Sequence, residues 1–243
     1  MKNILKSFGN FILSLFFPAD LKCMFCSCDI PDAKNKPYCE DCEIEAPFNK
    51  GQRCKICDVE ISGDSEVCDF CKTFHKQFDK AVSAMRYEGS AKRVVLKLKN
   101  DNARYLAPKM AKLMFDRLSE ENINVDVVIP VPLSQKSMAK RKYNQSELLA
   151  KEIAPLLNKP MDTESFAKIH DTKHQKELTY SDRQKNLHSA FKVLNKKNVF
   201  GKNILLVDDV VTTGATANEC AKTLKKYCEK VYVVSFARSP YKN

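Results

Sequence analysis

The sequence predicts an α/β fold: a parallel sheet with helices on both faces, preceded by a small cysteine-rich double zinc ribbon. From residue 78 onward, apolar strand patterns alternate with helical patterns, which is typical of parallel sheets. Four Cys-x-x-Cys pairs lie within residues 20–75, a spacing typical of structural zinc sites. We therefore expect an apolar helix over 1–19, the double zinc ribbon over 20–75 and the sheet domain over 78–243.

The composition indicates a folded globular protein with an anionic partner. The 243 residues are 44% hydrophobic and 29% charged, which excludes wholesale disorder and a bundle of membrane helices. The formal net charge is +11: residues 1–76 hold 10 Lys and Arg against 12 Asp and Glu, and the remainder holds 31 against 18. The basic excess belongs to the C-terminal part and favours nucleic acid, phosphate ligands or an acidic membrane face as partner.

An apolar run over residues 4–17 predicts a helix that docks on the body of the protein. Polar residues and a glycine interrupt the run, and it is shorter than the about 20 residues of a transmembrane helix. It also lacks the small-residue cleavage site of a secretory signal. We expect no transmembrane segment and a cytoplasmic protein, with peripheral contact at the inner membrane as the alternative.

The predicted elements of the sheet domain follow from the apolar patterns. Strands are expected over residues 81–87, 125–131, 203–207 and 231–236. Helices are expected over 90–118, with interruptions near 100–102 and at Pro108, and over 144–157 and 215–227.

Eight of the 11 cysteines form the four pairs, which are Cys23 and Cys26, Cys39 and Cys42, Cys54 and Cys57, and Cys68 and Cys71. Two such pairs complete a tetrahedral four-sulfur shell, which suits Zn²⁺. The simplest arrangement is two sequential zinc sites; an interleaved arrangement is the alternative, and iron–sulfur ligation competes with zinc. A closed shell leaves no catalytic position, so both Zn²⁺ are expected to be structural. Cys28 is expected to be a spectator.

The most informative segment is residues 204–216, where an apolar strand leads into two acids, a small hydroxyl-rich turn and a helix. Backbone N–H groups of the turn, at the N-terminus of a helix, suit a phosphate. The two acids, Asp208 and Asp209, are candidates for holding sugar hydroxyls, directly or through Mg²⁺. The phosphate candidates are Thr212, Thr213, Gly214, Ala215 and Thr216.

This segment resembles the 5-phosphoribosyl-1-pyrophosphate (PRPP) motif of type I phosphoribosyltransferases. The resemblance implies that Asp208 and Asp209 bind the ribose hydroxyls, that residues 212–216 bind the 5-phosphate, and that Mg²⁺ accompanies PRPP. Hypoxanthine-type members carry an acid where this chain has Thr212. A purine salvage enzyme is therefore not expected, and the loop offers no obvious general base, so catalytic residues stay unassigned.

A further set of motifs spans nearly the whole chain and resembles the ComF family of competence proteins. In chain order the motifs are the cysteine pairs, Tyr87-Glu88-Gly89, Leu96-Lys97, Ile129-Pro130-Val131-Pro132, Arg141-Lys142-Tyr143-Asn144-Gln145, Gln175, Arg183, Asn186, Ala190-Phe191 and the PRPP motif. That family pairs a zinc module with a phosphoribosyltransferase-like domain and is linked to uptake of single-stranded DNA. The resemblance implies a competence helicase as a further partner. Lys142-Tyr143 and Lys168 with His170 depart from the family's usual Gly-Phe and arginines.

Two basic segments complete the expected site. In the resembling fold, the loop after the strand 125–131 receives pyrophosphate, which makes Lys136 and Arg141 candidates. Residues 171–188 resemble the flexible loop that closes over PRPP.

The expected function is a PRPP-binding protein of the competence machinery that handles single-stranded DNA. The alternatives are an active phosphoribosyltransferase with an unknown acceptor, and a PRPP-sensing adaptor that binds a protein partner.

Overall fold

A computed structural model describes residues 22–30, 36–170 and 190–241. The helix expected over 1–19 and the loop expected over 171–188 lie outside these residues. The chain forms two compact units, Met1–Ala46 and Pro47–Asn243. The second pair of Cys-x-x-Cys motifs thus belongs to the same compact unit as the sheet, and the segment limits expected from the sequence stay a prediction.

The larger unit is built on a parallel sheet. In chain order the strands are β1 (Lys80–Arg86), β2 (Val127–Pro130), β3 (Phe166–Lys168), β4 (Phe191–Val193), β5 (Asn203–Val211) and β6 (Lys230–Arg238). Strands β1, β6, β5 and β2 lie side by side in that order and are all parallel, with Ile204 opposite both Val127 and Val231. Strands β3 and β4 form a separate antiparallel hairpin.

Helices cover both faces of the sheet, which explains why β5 and β6 are nearly continuous apolar runs. The helices are α1 (Glu40–Glu45), α2 (Asp69–Thr73), α3 (Gly89–Asn100), α4 (Ala107–Ser119), α5 (Gln135–Arg141), α6 (Gln145–Leu156) and α7 (Ala215–Leu224). Helix α7, the hairpin and the second cysteine group share one apolar core with Leu206 and Val233. Helices α4 and α6 pack on each other and on the other face of the sheet.

Both edges of the sheet are covered, as parallel sheets require. At the β1 edge, Phe48 pairs antiparallel with Met85, and the Ala81 N–H donates to the Ile56 carbonyl at 2.8 Å. At the β2 edge, Val128 pairs in parallel with Met161. The chain just before and within the second cysteine group therefore replaces a strand at the β1 edge.

The predicted fold class is confirmed, with local differences. Strand β5 continues to Val211, so the two acids lie inside the strand instead of after it. The predicted helix 90–118 breaks after Asn100, but Pro108 lies in the first turn of α4, where its missing N–H costs little. Helix α5 and the β3–β4 hairpin are additional elements. Among the described residues, none of the helices has the length and apolar character needed to cross a bilayer.

Candidate phosphate-binding site and metal centres

The acid pair lies at the carboxyl end of β5, an inner strand of the sheet, and three residues separate the end of this strand from the start of α7. Ligands of parallel α/β sheets bind at the carboxyl ends of the strands. Asp209 is buried and Asp208 is half-buried. Two carboxylates so close together and so poorly hydrated need compensation from neighbouring groups.

Lys99 compensates Asp209. Its Nζ lies 2.8 Å from Asp209 Oδ2, and both side chains are largely buried. Burial opposes the charge on the ammonium, but the carboxylates of Asp209 and Asp208 outweigh it and raise the pKa of Lys99. Because Lys99 comes from the last turn of α3, this ion pair fixes that helix end beside the site.

Ser146 and the backbone hold Asp208. The Ser146 hydroxyl donates to Asp208 Oδ1 at 2.9 Å, and the Asp209 N–H donates to the same oxygen at 2.9 Å. Burial and the neighbouring Asp209 charge nevertheless raise the pKa of Asp208 to about 7. Asp208 is thus a carboxyl whose charged form is disfavoured until a cation or a hydroxyl-rich ligand arrives.

The turn after β5 has the backbone conformation that the sequence predicts for a phosphate site. Gly214 is left-handed, with φ of +76°, and precedes the first residue of α7. The Asn218 N–H donates to the Gly214 carbonyl at 2.8 Å and so begins the helix. Asp208 and residues 210–217 line a small concavity at this helix N-terminus. Six of the seven residues predicted to bind PRPP therefore line one concavity, and the seventh, Asp209, pairs with Lys99.

The two residues predicted to bind pyrophosphate are placed differently. Arg141, at the end of α5, is half-buried, and its Nη1 donates to Gln145 Oε1 at 3.0 Å. Its positive charge opposes that of Lys99, an effect smaller than the opposite one of the acid pair on the pKa of Lys99. Lys136 lies exposed in the first turn of α5. The segment after β2 is a short connection followed by this helix instead of a long loop.

Lys99 and Ser146 are the site residues that the sequence reasoning missed. Ser146 follows Asn144, whose side chain accepts from the Ser146 N–H at 3.0 Å and donates to the Val131 carbonyl at 3.1 Å. Asn144 is therefore an N-cap that also ties α6 to the end of β2. Ser146 could have been found from the sequence, because it directly follows the motif Asn144-Gln145. For Lys99, no local feature of the sequence indicates a place in the site.

Eight cysteines form two sequential groups, Cys23, Cys26, Cys39 and Cys42, and Cys54, Cys57, Cys68 and Cys71. Within each group the sulfurs lie within 4.8 Å of one another. The Cys26–Cys39 and Cys57–Cys68 Sγ separations are 3.7 and 3.6 Å. A tetrahedron with metal–sulfur bonds of about 2.3 Å has edges of about 3.8 Å, so the donor sets fit Zn²⁺. Each group can hold a metal ion, and the pairing is sequential and not interleaved.

The two groups repeat the same local structure. After each first pair, the next residue is left-handed, with φ of +67° at Ser27 and +60° at Asp58. The N–H of that residue donates to the carbonyl of the first cysteine at 2.9 and 3.0 Å. Each second pair begins a short helix, with Cys39 and Cys68 at the N-caps of α1 and α2. Cys28 lies outside the first group, although its sulfur is 3.3 Å from Cys26 Sγ.

Comparison with known proteins identifies the family to which this chain belongs. Residues 102–242 match the phosphoribosyl transferase domain family, and the chain belongs to that family. It is 28% identical to competence protein F of Haemophilus influenzae, over 90% of this chain and 98% of that protein. The resemblance to the ComF family is thereby confirmed.

Other relatives are more partial. The DNA utilization protein YhgH of Salmonella typhimurium is 28% identical over 70% of this chain and 77% of its own length, and competence protein ComFC of Bacillus subtilis is 28% identical over 45% and 42%. Glutamine PRPP amidotransferase of B. subtilis is 20% identical, with a TM-score of 0.36 over 52% of this chain. The chain spans about a quarter of the length of that solved protein, 25%.

We expect Asp208→Asn to stabilise the protein at about pH 8, on the order of 1 kcal/mol or about 2–4 °C in Tm. The folded pKa of about 7 lies above the unfolded value, so the charged carboxylate costs stability as pH rises toward and through it. The gain should shrink as the pH falls toward about 4. Asp116→Asn, at an exposed acid on α4, should show no such dependence. Equal melting of variant and wild type at the higher pH would contradict the assignment.

Loss of one cysteine ligand should affect folding differently in the two cysteine groups. We expect two Zn²⁺ per chain, and structural zinc contributes on the order of 10 kcal/mol to such modules. Cys39→Ser should remove one zinc and leave the unit Pro47–Asn243 cooperatively folded. Cys57→Ser should also remove one zinc but destabilise that unit, because Cys57 lies in its core. Elemental analysis and thermal unfolding test this, and bound iron or equal effects would contradict it.

Proposed function

We propose that this protein binds PRPP with Mg²⁺ and acts in the handling of single-stranded DNA during natural competence. The observation that carries the proposal is the acid pair of β5 beside the turn 212–216, held by Lys99 and Ser146. Membership of the phosphoribosyl transferase domain family supports PRPP as the ligand. The names of the relatives, competence and DNA utilization proteins, support the process.

Each part of PRPP has a matching group in this site. The carboxylates of Asp208 and Asp209 accept hydrogen bonds from the two ribose hydroxyls, and Mg²⁺ would reduce their mutual repulsion. The 5-phosphate fits the N–H groups at the start of α7, where the helix dipole also favours an anion. Arg141, whose positive charge acts on Lys99, is our candidate for the pyrophosphate.

The basic surface supports the DNA part of the proposal. Residues 131–200 hold 14 Lys and Arg against 7 Asp and Glu. Aromatic side chains in this window are few, so phosphate contacts should outweigh base stacking and sequence preference should be weak. The competence helicase remains a proposed protein partner by family resemblance.

PRPP with Mg²⁺ should raise the melting temperature of the wild type. At a ligand concentration about 100 times Kd the gain is roughly 2.7 kcal/mol. Asp208→Asn combined with Asp209→Asn should abolish the shift and leave the zinc content unchanged. Pyrophosphate release, followed with and without DNA, separates binding from turnover. If the double variant still responds to PRPP, the carboxylates do not hold the ribose.

Single-stranded DNA should bind with strong salt dependence. If about four phosphates are neutralised, the slope of log affinity against log salt should be near −2.8. Arg141→Gln with Lys142→Gln should reduce the slope, whereas Lys55→Gln with Lys72→Gln, near the second cysteine group, should not. Saturating PRPP displaces DNA if both use one surface. Absence of binding at low salt would remove the DNA role and favour the protein-partner adaptor.

A further inference from the structure

The second cysteine group is joined to the phosphate-binding turn by a buried arginine. Arg238, at the end of β6, is 2% exposed. Its Nε donates to the Cys57 carbonyl at 3.0 Å, and its Nη1 donates to the Val211 carbonyl at 3.1 Å and to the Ser239 carbonyl at 2.9 Å. One guanidinium therefore binds both the backbone of a metal-ligand residue and the last residue of β5.

The Val211 carbonyl orients the start of the turn. It accepts from Arg238 and also from the Ser239 N–H at 2.9 Å. In a trans peptide the carbonyl and the following N–H point in opposite directions. Fixing the Val211 carbonyl toward Arg238 thus directs the Thr212 N–H away from it, on the opposite side of the peptide.

A second cation acts in the same way two residues later. Lys76 follows the last cysteine of the second group, and its Nζ lies 3.5 Å from the Thr213 carbonyl oxygen. This contact favours the orientation in which the next N–H, that of Gly214, points away from Lys76. Backbone N–H groups turned to one side of a turn make an anion-binding concavity.

Aromatic rings from the cysteine group and the C-terminal segment hold both cations in place. Phe70, in α2 between Cys68 and Cys71, lies 4.3 Å from Lys76 Nζ and stacks on Tyr241 at 4.0 Å between ring centroids. The Arg238 guanidinium lies 4.6 Å from the Tyr241 ring. Displacing α2 or the loop at Cys57 would move these partners together.

We propose that Arg238 and Lys76 are positioning residues that couple the second metal group to the phosphate-binding turn, so that a bound phosphate ligand strengthens metal retention at Cys54, Cys57, Cys68 and Cys71. This deepens the proposed function and rests on a phosphate ligand at residues 212–216. Coupling between two sites is reciprocal, so the effect is measurable from the metal side. The first cysteine group lies in the other compact unit and serves as an internal control.

The test measures zinc release from the full-length protein into a chromogenic chelator, with and without PRPP and Mg²⁺. The Cys39→Ser variant reports the second group alone. PRPP should slow release from the second group about fivefold or more and leave the first group unchanged. Lys76→Met and Arg238→Lys should keep both zinc ions but lose this protection. Lys76→Arg should restore part of it, and Lys72→Met, at an exposed lysine of α2, should behave as wild type.

Inorganic phosphate is the second probe, and it separates failure of the coupling from failure of PRPP binding. If PRPP binds but second-group release is unchanged, or Lys76→Met is as well protected as wild type, the coupling is wrong and PRPP binding stands. If inorganic phosphate slows zinc release from the second group, PRPP does not, and Lys76→Met loses the effect, the coupling stands and the proposed PRPP binding is wrong. If neither ligand slows release, the coupling is overturned.

Discussion

Two consecutive carboxylates at the end of an inner strand are the constraint on which this structure depends. Consecutive side chains of a strand point to opposite sides, so Asp208 and Asp209 must be satisfied by different elements. Lys99 of α3 forms an ion pair with Asp209, and the Ser146 hydroxyl of α6 donates a hydrogen bond to Asp208. The end of α3 and the start of α6 are therefore fixed by the chemistry of the site as well as by apolar packing.

The second constraint is the β1 edge of the sheet, which would be unpaired without the second cysteine group that covers it. Asp58, which follows Cys57, is buried and accepts from the Ser83 N–H of β1 at 2.6 Å. Arg117 of α4 and Arg53 lie 3.3 and 3.5 Å from the same carboxyl group. A buried carboxylate needs such partners, and removing one of them leaves an uncompensated charge. The second cysteine group is consequently built into the sheet domain.

The features that could be predicted from the sequence are those whose residues lie close together along the chain. The acids and turn of residues 208–216 are contiguous, and the four cysteine pairs have their own spacing, so both could be predicted from the sequence. Their partners could not, because Ser146 is 62 residues from Asp208 and Arg238 is 181 residues from Cys57. Such contacts depend on strand order. Lys136 is exposed on α5, a helix that the sequence analysis did not predict, and its role toward pyrophosphate stays a prediction.

The duplicated cysteine motif shows how one local structure acquires two roles through its surroundings. In the first group, α1 has no buried residue and its Ile44 is 78% exposed. In the second group, Cys54, Cys57 and Cys71 are each at most 2% exposed and belong to the core shared with β5 and α7. The first group also has buried residues, Cys23, Met24 and Phe25, but it belongs to the other compact unit. A metal held in the second group would also fix Cys57, whose carbonyl accepts from Arg238, and through Arg238 the end of the strand that carries the acid pair.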